Sequence, residues 1–464
     1  MRCMRWSHWT AATGIALALA SAVAAPPDTG ASGAATRGTL VVVASCEDSG
    51  PGTLREAVAS APPGSTIDLS ALPCPDRTIT LTSGEIAFQN DAELTMTGMS
   101  LPRPEGVVIP QAILDGNGAS RIFSQHGAGT LSLFAIELRH GHSAQPGGCL
   151  ASEGDVALTE SLVDGCEVVA TEFGAGVGGG VYVAGALALD SSVIRDNLAT
   201  GESSVNGGGA SAGSLLMAYS TVSGNSAIAT SVFGFGGGLY VVSHAQITNS
   251  TISGNRATDL GGIELVGDGG TARLRIADTT ISGNVGGSIG GLLALQSPVK
   301  IASSTIAFNT ATNGGTGGLA VGNSPVLEST IAADNVGLDV AEQCLTPPCG
   351  LVVEGADNLI VATDMPVPPE TIDTDPRLLP LANNGGRTPT HALLAGSPAI
   401  DRGNVLGADT GPLDYDQRGP GYPRVVEVAA DIGAFEFRAA PDFIFIDGFD
   451  CGEAVVGRSP QVCP

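Results

Sequence analysis

The residues with the clearest chemical potential stand at Arg139-His140-Gly141-His142. Two imidazoles at i and i+2 of a strand share a face and could ligate a metal. Asp164, one repeat further on, could supply a third ligand. The alternative reading makes them polar turn residues leaving a repeat. A second stretch, Ile113-Leu114-Asp115-Gly116-Asn117-Gly118, offers oxygen ligands of the kind calcium takes and reads equally as a turn. No CxxC pair or Cys/His cluster suggests zinc. Cleaving an acidic polysaccharide by elimination needs cation-binding acids on one face and a basic proton acceptor. Lys300 is the single lysine, and no recurring acid cluster lies beside an arginine. Glycoside hydrolysis needs a pair of carboxylates flanking the bond, and no such pair stands out. Both tryptophans, Trp6 and Trp9, lie at the start, leaving five tyrosines, so no sugar-stacking groove is expected. The sequence predicts no cofactor, and calcium stays open.

These residues sit in a repeat. Aligned on a Ser/Thr-x-Val/Ile element, one column reads Val163, Ile194, Val222, Ile252, Ile281, Ile306 and Ile331. Five residues earlier stand Leu158, Leu189, Met217, Ile247, Ile276, Ile301 and Val326. Three residues later stand Cys166, Asn197, Asn225, Asn255, Asn284, Asn309 and Asp334. The asparagines are 28, 30, 29 and 25 residues apart, a period of repeat architectures. Within each repeat the period is two, so the elements are strands. Glycine clusters precede further short strands at Val181-Tyr182-Val183, Leu239-Tyr240-Val241, Ile263-Glu264-Leu265, Leu292-Leu293-Ala294 and Leu319-Ala320-Val321.

A parallel β-helix meets these demands. One repeat alone cannot bury its apolar side, and stacking coils about 4.8 Å apart pairs each backbone group with the coils above and below. Two inward positions five residues apart require a turn between them. The asparagines then stack at one turn, where they can bond along the axis; a ligand-reading row is the alternative.

An open solenoid needs covered ends. Thr39 to Ser45 reads as a first strand. Thr53 and Glu56 form a capping box before an apolar face of Leu54, Ala57, Val58 and Ala61, which predicts a short capping helix. Strands at Thr66–Leu69, Thr78–Leu81, Ile86–Phe88 and Glu93–Thr97 read as early, irregular coils. The organisation expected is a signal peptide at 1–25, a linker at 26–38, an N-terminal cap and early coils at 39–130, regular repeats at 131–345, a last coil and irregular C-terminal cap at 346–440, and a tail at 441–464. In the cap, Asp401, Asp416 and Asp431 read as turn residues.

Arg2 and Arg5, the apolar run Ala11 to Ala20 and Ala22-Val23-Ala24 form the secretory signal pattern. No later run of 18 apolar residues predicts a transmembrane helix. Beyond Cys3, eight cysteines remain for an oxidising compartment: Cys46 with Cys74, Cys149 with Cys166, Cys344 with Cys349, and Cys451 with Cys463 are the expected neighbours. The formal charge is −26, and loss of the first 25 residues removes two arginines and no acids. Such a chain repels nucleic acid, which leaves a surface or glycan partner.

Thr53-Leu54-Arg55-Glu56-Ala57-Val58 resembles the CSLREA-type N-terminal region of secreted bacterial β-helix proteins, with Gly-Thr in place of Cys-Ser. The GG clusters and Phe308-Asn309-Thr310-Ala311 resemble repeats of polymorphic outer-membrane proteins. DPRLLPLANNGGRTPTHALLAGSPAIDRG at 375–403, DQRG at 416–419 and DIGAFE at 431–436 resemble a choice-of-anchor segment, and FIFIDGFDCGE at 443–453 resembles short tails of other secreted bacterial proteins. The resemblance implies a right-handed parallel β-helix at or outside the bacterial cell surface, outer-membrane associated, and no particular activity. The expectation is an adhesive, binding or structural protein. The alternative is a lyase or glycoside hydrolase acting on an acidic glycan from the loops at Ala170–Gly180 and Ala227–Gly238. A self-exported passenger would need barrel strands after the repeats, and none is expected.

Overall fold

The computed structural model describes residues 38–438 apart from 102–108, 171–173, 232, 268–271, 344–347, 408–410 and 427. The signal pattern, the tail, Cys344, Cys451 and Cys463 lie outside the described residues. The chain winds as a parallel β-helix of about 11 turns. Among the described residues, three long parallel sheets of 20, 11 and 7 strands run along it, with a short one of 3. Among the described residues there is one helix, Leu54–Ser60, and none is long and apolar enough to cross a membrane.

Alternation within the strands sends one residue in two inward, and parallel register stacks like upon like. The first sheet builds an unbroken inner column of Ile67, Met96, Leu133, Leu158, Leu189, Met217, Ile247, Ile276, Ile301 and Leu327. The second builds Ile79, Leu114, Leu138, Val163, Ile194, Val222, Ile252, Ile281, Ile306, Ala332 and Ile360. Both belong to a single apolar core running from Val43 to Met365. The early coils thus share both inner columns with the later ones, but among the described residues the seven-stranded sheet starts only at His142–Ser143, which keeps the early coils less regular. Thr53 caps the helix by accepting the Glu56 amide at 3.3 Å, while Glu56 reaches back to the Gly52 amide at 2.6 Å. Leu54, Ala57 and Val58 join the first coil's end of the core.

The last repeat differs from the sequence alignment by one residue. Leu327, Ala332 and Asn335 take the inward and ladder positions expected for Val326, Ile331 and Asp334. A one-residue shift exchanges the faces of a strand. It turns Ile331 outward into a second apolar cluster with Ala333, Leu359, Leu393, Ala399 and Ile432. That cluster explains the shift, because the C-terminal segment lies there.

This segment, expected as a cap, packs along the flank of the second sheet. Gln417 bridges Thr280, Thr251, Thr388 and the Pro389 carbonyl; Thr251 donates to the same carbonyl at 2.6 Å. His391 meets the Ser282 hydroxyl at 2.7 Å, and the Ala434 amide donates to Thr305. The three aspartates hold this flank plate together. Asp416 grips the Arg418 guanidinium, Asp431 accepts the Asp401 and Phe437 amides, and Asp401 accepts those of Val428 and Ala429.

Candidate functional site

The asparagines form a buried ladder beneath the turn after each second-sheet strand. Each Nδ2 donates to the next Oδ1 at 2.9 Å, through Asn197, Asn225, Asn255, Asn284, Asn309 and Asn335. Each of the first five also donates to a carbonyl of the coil before, such as that of Val222. At one end the Cys166 amide donates to Asn197, and Cys166 is bonded to Cys149. At the other, Asn335 donates to Asp339. These side chains are fully engaged within the rod. A second ladder joins Ser161, Ser192, Ser220 and Ser250 through amide-to-hydroxyl bonds, with Thr279 and Ser304 repeating the pattern. Its signal was in plain view, since these are the Ser/Thr residues on which the repeats align. The Cys46–Cys74 disulfide ties the first coil, and Cys349 is also disulfide-bonded.

Where the ladder begins, the histidines and the 113–118 stretch come together. Ala112–Asp115, Ile136–Arg139 and Leu162–Asp164 are neighbouring strands, so Asp115, Arg139 and Asp164 stand in register. His140 follows with φ of 50°, in the turn column that later coils fill with Gly224, Gly254 and Gly283. That left-handed turn breaks the strand, so His140 and His142 do not share a strand face. Both nevertheless line one open cleft of about 420 Å³ with Asp115, Asn117 and Glu167. Gly165 also lines it, and a Cβ there would stand 3.3 Å from the His140 ring.

His140 Nδ1 lies 3.3 Å from Asp115 Oδ2, and His142 Nδ1 lies 3.5 Å from Glu167 Oε2. Asp164 does not join them; it accepts Arg195 at 2.8 Å. His140 instead turns its Nδ1 to Asp115 of the preceding coil while the far side of its ring lies over Gly165. Burial opposes ionisation of Asp115, but the Asn117 amide, Arg139 and His140 outweigh it and hold the carboxyl below its ordinary value. Glu137 moves the other way: burial raises it despite Arg139 at 3.7 Å. Among the described residues, no three of His, Cys, Asp and Glu converge as a metal site. The cleft holds two imidazole–carboxylate pairs, able to bind hydroxyls or exchange protons. Glu167 was missed from sequence. Aligning Cys166 with Gly141 would have placed it beside His142, as the register does.

No protein-family model matches the chain, and no curated protein matches it. Among solved structures, a crystal structure of pectate lyase Pel9A is similar over 87% of this chain and 97% of that one, at 14% identity and a TM-score of 0.42. A likeness of that extent adds nothing to the site.

Proposed function

We propose that this protein is an exported, rigid β-helical binding scaffold of adhesive or structural role, engaging a surface or glycan partner. One observation carries the reading. The second sheet is covered by the chain's own C-terminal segment over its later coils, while its earlier coils present Asp115, Glu137, Arg139, Asp164 and Arg195 beside the histidine cleft. The disulfides accord with an extracellular setting. Immobilised chain is expected to retain a subset of glycans or cell-surface material, and Asp115→Asn or Arg139→Gln to lower that retention. Equal retention by these variants would refute a role for the open face.

The two imidazole–carboxylate pairs favour a second reading, polysaccharide cleavage by acid–base chemistry. Turnover on polyuronates and neutral glycans, with and without calcium, decides between them. Product formation lost in His140→Ala or His142→Ala would replace the binding reading with the enzymatic one.

A further inference from the structure

A second cleft opens where the flank plate meets a later turn of the solenoid. It measures about 570 Å³ and is lined by Phe308, Asp334, Asp375, Arg377, Leu378 and Leu394, with Ala395 at its wall. Phe308 carries the argument. It occupies the turn column before the Asn ladder, with φ of 59°, where four other coils place Gly165, Gly224, Gly254 and Gly283 and three place the polar residues His140, Asp196 and Asp334. A bulky side chain is costly in that conformation, and such outliers gather at functional sites. The ring keeps 39% of its surface exposed. It is nevertheless held in place. The His391 ring lies 4.9 Å from it, and His391 is itself fixed, bonded to the Leu379 carbonyl at 2.7 Å and to Ser282 on its other nitrogen. An exposed aromatic face braced from behind is a platform.

Around the platform stand complementary groups. Leu378 and Leu394 extend the apolar surface; Leu394 is 45% exposed. Asp334 and Asp375 supply acceptors, and the exposed Arg377 supplies donors. Partial burial and then the charge of Asp375 raise the Asp334 carboxyl, so the two acids crowd one another. A uronate or phosphate would add a third negative charge. A neutral pyranose suits the set: its C–H face stacks on the ring, its hydroxyls donate to the carboxylates, and its oxygens accept from the guanidinium. The volume falls within the roughly 300–1,000 Å³ of small-ligand sites.

We infer that this cleft is a binding site for an uncharged oligosaccharide, with Phe308 as its stacking platform. Tryptophan and tyrosine are scarce in this chain, and the ring in this cleft is a phenylalanine. The inference goes beyond the scaffold reading and uses none of the histidine cleft.

The test is calorimetric titration of the whole protein with cellohexaose, xylohexaose and chitohexaose, with hexagalacturonate as the charged control. Saturable binding of at least one neutral oligomer and none of the uronate is expected. Phe308→Gly should weaken it about tenfold or more. Glycine suits this φ, so that variant should melt no lower than the parent. Val242→Ser, exposed and outside both clefts, should bind as the parent does, and a loss confined to Phe308→Gly separates this cleft from the open face of the scaffold reading. Absence of binding by all three neutral oligomers, preference for hexagalacturonate, or unchanged affinity in Phe308→Gly would each overturn the inference.

Discussion

The second sheet has two halves, alike within and different without. Beneath both runs the same aliphatic column, while the Asn ladder starts only at Asn197, the coils before it placing Gly141 and Cys166 at that position. Outside, the earlier coils carry Glu137, Leu162 and Val193 in one row and Asp115, Arg139, Asp164 and Arg195 in the next. The later coils carry Thr251, Thr280, Thr305 and Ile331, and Ser253, Ser282, Ala307 and Ala333, all buried under the flank plate. From Asp115 to Ala307 the register is therefore the same whatever lies outside it, and only the last repeat shifts, where the plate takes up Ile331. The outer residues alone decide whether a coil faces solvent or its own chain. Small hydroxyls permit close approach and satisfy the plate's amides and carbonyls; long charged side chains keep the open half wet.

The largest test of this contrast puts one charge on both halves of the same row. Thr280→Glu buries an unpaired carboxylate under the plate and should cost about 3–5 kcal/mol in chemical denaturation. Leu162→Glu, on the open half, should stay within about 0.5 kcal/mol. Equal costs would break the comparison. The ladder makes the complementary test, since it runs from Asn197, on the last open coil, under the covered ones. Asn197→Ala and Asn284→Ala should each cost about 2–3 kcal/mol, because each leaves buried partners unpaired. A large difference between them would mean that the interiors are not equivalent.

Acidity sharpens the contrast further. Burial raises the Asp278 carboxyl, under the plate, from 3.8 to about 7, with Arg424 at 3.8 Å opposing the shift and Asp416 adding to it. Burial likewise raises Glu436, from 4.5 to about 7. Acids with raised folded pKa values take up protons on folding, so their contribution is full below pH 4 and lost as pH rises through 7. The midpoint of thermal unfolding should therefore fall by about 2–4 °C between pH 5 and 8. Asp278→Asn, which keeps the shape and tolerates its φ of 46°, should flatten that slope. The smallest effect belongs to the open half. Arg195→Gln breaks the pair with Asp164 and should cost at most about 0.5–1 kcal/mol, less at high salt.

Most of the fold was legible. The aliphatic columns, the turn between inward positions, the Gly-rich strand starts and the helix cap follow from periodicity and capping chemistry. The last register was not, because Val326 and Leu327, or Ile331 and Ala332, satisfy an apolar column equally. Only the plate over Ile331 separates them, and that contact spans some 60 residues or more of chain. The plate's position was hidden for the same reason: Thr251, Thr280 and Thr305 read as ordinary outward residues. The histidine cleft was half legible. His140, His142 and Asp115 were singled out, but joining them needs the register of early coils whose lengths are uneven.

Histidine accessibility tests the covered-and-open account most directly. The His391 side chain is buried by plate and sheet, whereas those of His140 and His142 are 58% and 38% exposed. Brief acylation of the native protein with diethyl pyrocarbonate, read by peptide mass spectrometry, should modify His140 and His142 and spare His391 until the protein is denatured. Modification of native His391 as fast as His140 would show that the plate is not docked, and would contradict the account.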